Sequence, residues 1–291
     1  MVVTFAAYTL GALMGVAVDR GGARLRRDWP IYLRAQLLAT AGLLTLFSAW
    51  RLSSPAEVIA PVLIASVGWV LLGGSLLTRQ GRTKGLAALE CWAAFPNSGF
   101  WVLPIAGALV GPTGSMVTAL SIAVYAVPNF VCIHLMRRDA PIPQRRSTSW
   151  IDQSALGALG LGLALHLAGP APAFSRWVLD ASGPLMAFVG AALFTGSVLH
   201  PHNLSVGRGT EDVRRWLALS TARIGCLVPI IVLSHSHAVR VVAVLTALGA
   251  PAFSPPQQAV LYGYRSGVVN ASVRWGWLAL APGFVVALLL R

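Results

Sequence analysis

The chain has 291 residues, 56% of them hydrophobic and only 11% charged, with a mean hydropathy of +0.71. A soluble domain carries about 25% charged residues, so this composition excludes an ordinary soluble enzyme, a coiled coil and a disordered tail. The net charge of +13 sits in short loops between apolar segments, where it orients a chain in a membrane and meets anionic lipid; no basic stripe interleaved with aromatic residues points to nucleic acid.

In chain order, apolar runs separated by charges or Gly/Pro breaks predict ten spans, at 2–18, 31–49, 56–78, 86–110, 114–136, 151–168, 173–199, 214–234, 238–263 and 268–290. Each has about the 20 residues a bilayer requires. The first run lacks a cationic leader and a small-residue cleavage site, so it reads as a helix rather than a removable signal. Cys91, Cys132 and Cys226 lie inside apolar runs without metal-like spacing, and they read as small apolar fillers. No metal or cofactor is expected. Lys84 is the only lysine among the basic residues, a skew that resembles a high-GC bacterial protein.

The loop charges support an even count. Fifteen basic residues follow spans one, three, five, seven and nine, among them Arg79, Arg82, Arg137, Arg145 and Arg208; only Arg51, Arg176 and Arg240 follow the others. The positive-inside bias then predicts an integral, multi-pass protein of the cytoplasmic membrane with both termini outside. Five spans on each side of a cytoplasmic linker at 139–150 suggest two repeats, 1–138 and 151–291. An odd number of helices per repeat inverts the second relative to the first, as in inverted-repeat transporters.

Both halves are interrupted at the same place. Span four contains Phe95-Pro96-Asn97-Ser98-Gly99-Phe100 and then Pro104; span nine contains Gly249-Ala250-Pro251-Ala252-Phe253-Ser254-Pro255-Pro256-Gln257-Gln258. Proline removes a helix donor and frees a carbonyl one turn earlier, and in lipid such groups must be satisfied by protein, water or solute. A matched pair of broken helices therefore predicts a binding site between them, although a kinked packing helix would carry the same residues. Which of Pro251, Pro255 and Pro256 marks the second crossover stays open.

These residues resemble the auxin efflux carrier family, the PIN-like transporters. Asn97-Ser98-Gly99-Phe100, Leu103-Pro104-Ile105 and Gly111-Pro112-Thr113-Gly114 are similar to its fourth-helix signature. Tyr125 and Asn129, Pro184-Leu185 with Gly190-Ala191-Ala192-Leu193, Arg223 with Pro229, and Ala250-Pro251-Ala252 with Pro255 and Tyr262-Gly263 resemble helices five, seven, eight and nine. Span two lacks the proline usual there, and the ninth-helix segment is more polar than usual. The resemblance implies an all-α, ten-helix carrier with crossing broken helices, an elevator-type cycle, a small organic anion such as an auxin-like carboxylate or a dicarboxylate as substrate, and a homodimer.

The candidate substrate residues are Asn97, Ser98, Pro104, Asn129, Pro251, Pro255 and Gln257. Asn97 carries a donor and an acceptor beside the break, so it suits a carboxylate or a gap in the backbone. The half-helix N-termini supply positive dipole ends for the anion. Asn129 either lines the site or bonds a neighbouring helix. Gln257 and Gln258 project differently, so at most one faces the cavity. Glu90, an acidic residue well inside an apolar run, reads as a proton-coupling group or as a carboxylate paired with Arg82 or Lys84. Arg223 could counter an anionic substrate, but snorkelling or pairing is the preferred reading, and Asp180 reads as the partner of Arg176 one turn earlier. No enzymatic motif appears, so an enzyme is not expected; a passive channel remains the nearer alternative to a carrier.

Overall fold

The computed structural model describes residues 2–21, 40–95, 97–142, 154–199, 209–249, 255, 259, 262–275, 285, 286, 288 and 289. Among them the chain is helical throughout, with no strand. The helices are α1 (Val2–Arg20), α2 (helical residues 40–51), α3 (Ala56–Arg79), α4 (Lys84–Ala93), a five-residue π-helix (Ser98–Val102), α5 (Leu103–Val110) and α6 (Pro112–Arg138). They are followed by α7 (Ser154–Ala168), α8 (Phe174–Leu199), α9 (Thr210–Leu233), α10 (His237–Ala247) and α11 (Gly267–Trp275). Four of them, α1, α3, α6 and α9, are long and apolar enough to cross a bilayer.

Local chemistry explains the boundaries. Pro55 precedes α3, and Thr83 caps α4 by accepting the Leu86 N–H at 3.3 Å. Gly111, at φ 70°, turns the chain between α5 and α6 in a conformation glycine adopts without strain. Pro112 then opens α6, where its missing donor costs nothing. Glu211 and Asp212 lie in the first turn of α9, the end where the helix dipole favours negative charge. Gly15, buried on α1, stands four residues after Gly11, so both face the same neighbour.

That neighbour is α8. A Cβ at Gly11 would collide with the Phe188 carbonyl, and one at Gly15 would lie 2.7 Å from the Ala192 carbonyl. The two helices therefore touch backbone to backbone, as small residues permit in apolar surroundings. Beside this pair one hydrophobic cluster gathers Leu44 and Phe47 of α2 with Leu179, Met186 and Val189 of α8, reaching Phe100 and Leu103. Trp50 Nε1 donates to the Gly169 carbonyl at 2.8 Å and Arg51 Nη1 to Ser175 Oγ at 2.7 Å, which fastens the end of α2 to the α7–α8 turn. The sequence-predicted pair Arg176 and Asp180 sits there too, 4.0 Å apart and exposed.

A second, larger cluster joins α3, α4, α6, α9 and α10 around Trp69, Leu89, Leu120 and Val241. At its basic end the chain is tied by hydrogen bonds: Gly85 N–H to Asp139 Oδ2 (2.9 Å), Tyr264 O–H to the Met136 carbonyl (2.8 Å) and Arg137 Nε to Tyr262 Oη (2.9 Å). Arg138 and the Gly85 N–H hold the Asp139 carboxyl below the usual carboxylate range. Between the two clusters, Tyr8 of α1 stacks on Trp101 at 4.8 Å and donates to the Phe100 carbonyl at 2.8 Å, so α1 grips the π-helix directly.

Candidate functional site

Span four is interrupted. Helix α4 ends at Ala93; the Ala94 N–H still reaches Cys91 and Glu90 carbonyls, and the Phe95 N–H closes a tighter turn on Trp92. Asn97 leaves the helical region at φ −80°, ψ 78°, and its Oδ1 caps the next segment by accepting the Phe100 N–H at 3.2 Å. A π-helix follows, a form found mostly as short insertions at functional sites. Pro104 then occupies the first turn of α5, where no donor is needed. Span nine stops in the same way: α10 ends at Ala247, Leu248 is its cap, and Gly249 is no longer helical. Pro251, Pro256, Gln257 and Gln258 lie outside the described residues, whereas Pro255 is helical and buried.

The two ends meet on one side chain. Arg223, midway along α9 and 6% exposed, donates from Nη1 to the Ala94 carbonyl and from Nη2 to the Ala247 carbonyl, the latter at 2.7 Å. Snorkelling is thereby excluded: the guanidinium is buried and its partners are backbone carbonyls. The physical reason is that a helix C-terminus leaves carbonyls without intrahelical donors, and a planar fork with five N–H groups serves two of them at once. The expectation looks to the half-helix N-termini, one of which begins at Asn97 beyond the break. What converges at Arg223 is a pair of half-helix C-termini, the negative ends of their dipoles, made acceptable by a cation.

A small cavity, with room for about one water molecule, opens beside this junction and is lined by Ser66 and Trp69 of α3, Phe95, Tyr125 of α6, Arg223 and Thr246. Its aromatic wall is built edge to face, with ring centroids 5.3 Å apart for Phe95 and Tyr125 and 6.2 Å for Trp69 and Phe95. Tyr125 and Thr246 border the same space. Two buried donors on residues lining the space, Arg223 Nε and Trp69 Nε1, find no partner among the described residues. A buried donor left unpaired costs about 1–3 kcal/mol, and both of these lie on side chains beside the cavity.

The remaining predicted residues are distributed around this centre. Asn97 and Ser98 are buried, and Asn97 Nδ2 and Ser98 Oγ have no partner among the described residues. Asn97 thus repairs the backbone with its oxygen and keeps its amide donors uncommitted. Asn129 is half-buried on α6, four residues beyond Tyr125; its Oδ1 has no partner among the described residues, and it does not line the cavity. Glu90, 0% exposed, accepts the Ser266 hydroxyl at Oε1 (2.9 Å) and lies 3.6 Å from Arg82 Nε. Sequence reasoning did not single out Ser66, Trp69 or Thr246. A signal existed for each: Ser66 and Trp69 share one face at i and i+3 of an apolar helix, and Thr246 immediately precedes the second break.

No protein-family model matches this chain, and no characterised protein matches it either.

Proposed function

We propose that this chain is a secondary transporter that moves a small organic anion across the cytoplasmic membrane. Its ten spans form two inverted five-helix repeats, 1–138 and 151–291, joined by a cytoplasmic linker at 139–150, with both termini outside. The observation that carries this reading is the double engagement of Arg223, which binds the ends of two broken helices occupying the fourth place in one half and the ninth in the whole. Broken helices at matched positions of two repeats build the central sites of inverted-repeat transporters. In this chain the arginine neutralises the carbonyl ends, and its unpartnered Nε, with Trp69 Nε1, offers hydrogen bonds to a carboxylate. The uncommitted donors of Asn97 and Ser98 supply a second polar wall.

The interior holds two hydrophobic clusters, one built mainly from α3, α4, α6, α9 and α10 and one joining α2 and α8 to Phe100, Leu103 and Ala119, and an elevator-type cycle would move the first past the second. The same division is expected of the auxin efflux carriers that the sequence resembles, and carboxylates of that kind are the first solutes to try. The direct test is a thermal-shift screen of organic acids on purified protein at two pH values. A dose-dependent stabilisation by one class of acid, absent in Arg223→Ala, is the expected result; stabilisation that survives Arg223→Ala places the anion elsewhere. Cysteine labelling at positions 145 and 208 should report the cytoplasm for both, and opposite faces would overturn the ten-span topology.

A further inference from the structure

A fully buried carboxyl one turn from the broken-helix junction is not explained by anion binding. Glu90 lies on α4, and its carbonyl receives the Ala94 N–H at 3.3 Å, from the same residue whose carbonyl Arg223 holds. Its Oε1 accepts a hydrogen bond from the Ser266 hydroxyl at 2.9 Å. Ser266 is oriented for this, because its oxygen also caps α11 by accepting the Val269 N–H at 3.3 Å. Oε2 is different: it is buried and has no hydrogen bond among the described residues, and neither has Arg82 Nε, which faces it at 3.6 Å. That separation exceeds a charged N–H···O contact of about 2.8 Å.

Arg82 stands between two carboxylates and closes on neither. On its other side Asp212 Oδ1 is 3.9 Å from Nη2. Asp212 is also 3.7 Å from Arg215 Nη1, and Arg215 binds Glu211. The charged groups facing Glu90 are therefore Arg82 from the α3–α4 turn and Asp212 and Arg215 from α9, with Cys91 adjacent on α4 and Cys132 of α6 beyond it. Asp212 is seated against the start of α11, since a Cβ at Gly267 would collide with its carboxylate. Whichever carboxylate Arg82 approaches, the choice is felt by α4, α9 and α11 together. A buried carboxylate without a close cation is costly, and a buried carboxylic acid with one hydrogen bond is not.

We infer that Glu90 is a proton-binding site, alternating between a carboxylic acid held by Ser266 with Arg82 drawn to Asp212, and a carboxylate on which Arg82 closes. The proton comes from water and returns to water; no bond other than the carboxyl O–H forms or breaks. The purpose of the site, coupling proton movement to the anion at Arg223, rests on the transport reading, whereas its existence does not. The experiment is an infrared pH titration of purified protein, comparing wild type with Glu90→Gln and Arg82→Gln, each checked for folding by its melting transition. Wild type should develop a carboxylic-acid C=O band on acidification that Glu90→Gln lacks. Arg82→Gln should move that band's midpoint to higher pH by about one pH unit or more, because removing a nearby cation favours the neutral acid. Identical titrations in wild type and Glu90→Gln would overturn the site. An unmoved midpoint in Arg82→Gln would overturn the exchange with Arg82, and that arm stands even if Glu90→Gln fails to fold.

Discussion

The contact between α1 and α8 and the junction around Arg223 solve opposite problems. In the first, Gly11 and Gly15 remove their side chains so that two backbones can touch, and dispersion over a continuous apolar surface holds the pair. In the second, two helices stop short, and a single charged side chain satisfies the carbonyls they expose while leaving a donor of its own uncommitted. The glycine contact is complete and tolerates no added atom. The arginine junction is deliberately incomplete, and an incomplete polar centre inside an apolar body is where a solute can exchange for a hydrogen bond without breaking the packing.

The largest expected effect tests the junction. Arg223→Ala leaves two buried carbonyls without donors, at about 1–3 kcal/mol for each, so the melting temperature in detergent should fall sharply and any response to organic acids should vanish. Arg223→Lys restores the charge without the planar fork and should recover part of the stability; full recovery would show that geometry is unimportant there. Next comes the glycine contact. Gly11→Ala should destabilise by about 1–3 kcal/mol through overpacking against the Phe188 carbonyl, with Gly15→Ala somewhat milder. Gly68→Ala on α3 is the control, because its Cβ meets open space; it should be neutral or stabilising, by up to about 1 kcal/mol.

Asn97→Ala separates the two jobs of that residue. Losing the cap on the Phe100 N–H costs about 0.5–2 kcal/mol of stability. Losing one charge-assisted hydrogen bond to the anion, worth about 1.5–3 kcal/mol, lowers affinity about tenfold or more. A stability loss with unchanged affinity would make Asn97 a cap alone. The smallest effect is at Asp139. Its carboxyl titrates below the usual range in the folded protein, so its contribution is complete above about pH 4 and disappears as the pH falls through the lowered native value. Asp139→Asn should therefore reduce stability slightly at neutral pH and flatten the acid side of the melting-temperature profile; an unchanged acid limb would show that the Gly85 contact contributes nothing.

The sequence made one layer of this legible and concealed another. Helix positions were readable because a bilayer demands uninterrupted apolar runs, and α1, α3, α6 and α9 fall within a few residues of spans one, three, five and eight. The fourth-span break was readable because proline and asparagine act on the backbone locally, and α4 stops where they begin. The partner of that break was not. Arg223 lies 129 positions from Ala94 along the chain, and a lone arginine in an apolar run looks the same whether it reaches outward to water or inward to two helix ends. Glu90 was ambiguous for the same reason: Arg82 is close in sequence, but Ser266, 176 positions away, is what holds Oε1. Ser66 and Trp69 passed as ordinary constituents of span three because a single Ser or Trp in such a helix needs no explanation until its neighbours are known.

The most direct test of the central claim is counterflow in proteoliposomes, using an organic acid that stabilises the purified protein. The account predicts saturable uptake of labelled anion that is accelerated by the same unlabelled anion inside, and that is lost in Arg223→Ala while Gly68→Ala transports normally. Uptake that rises linearly with concentration and shows no acceleration would describe a pore, and counterflow undiminished in a folded Arg223→Ala protein would contradict the role assigned to the junction.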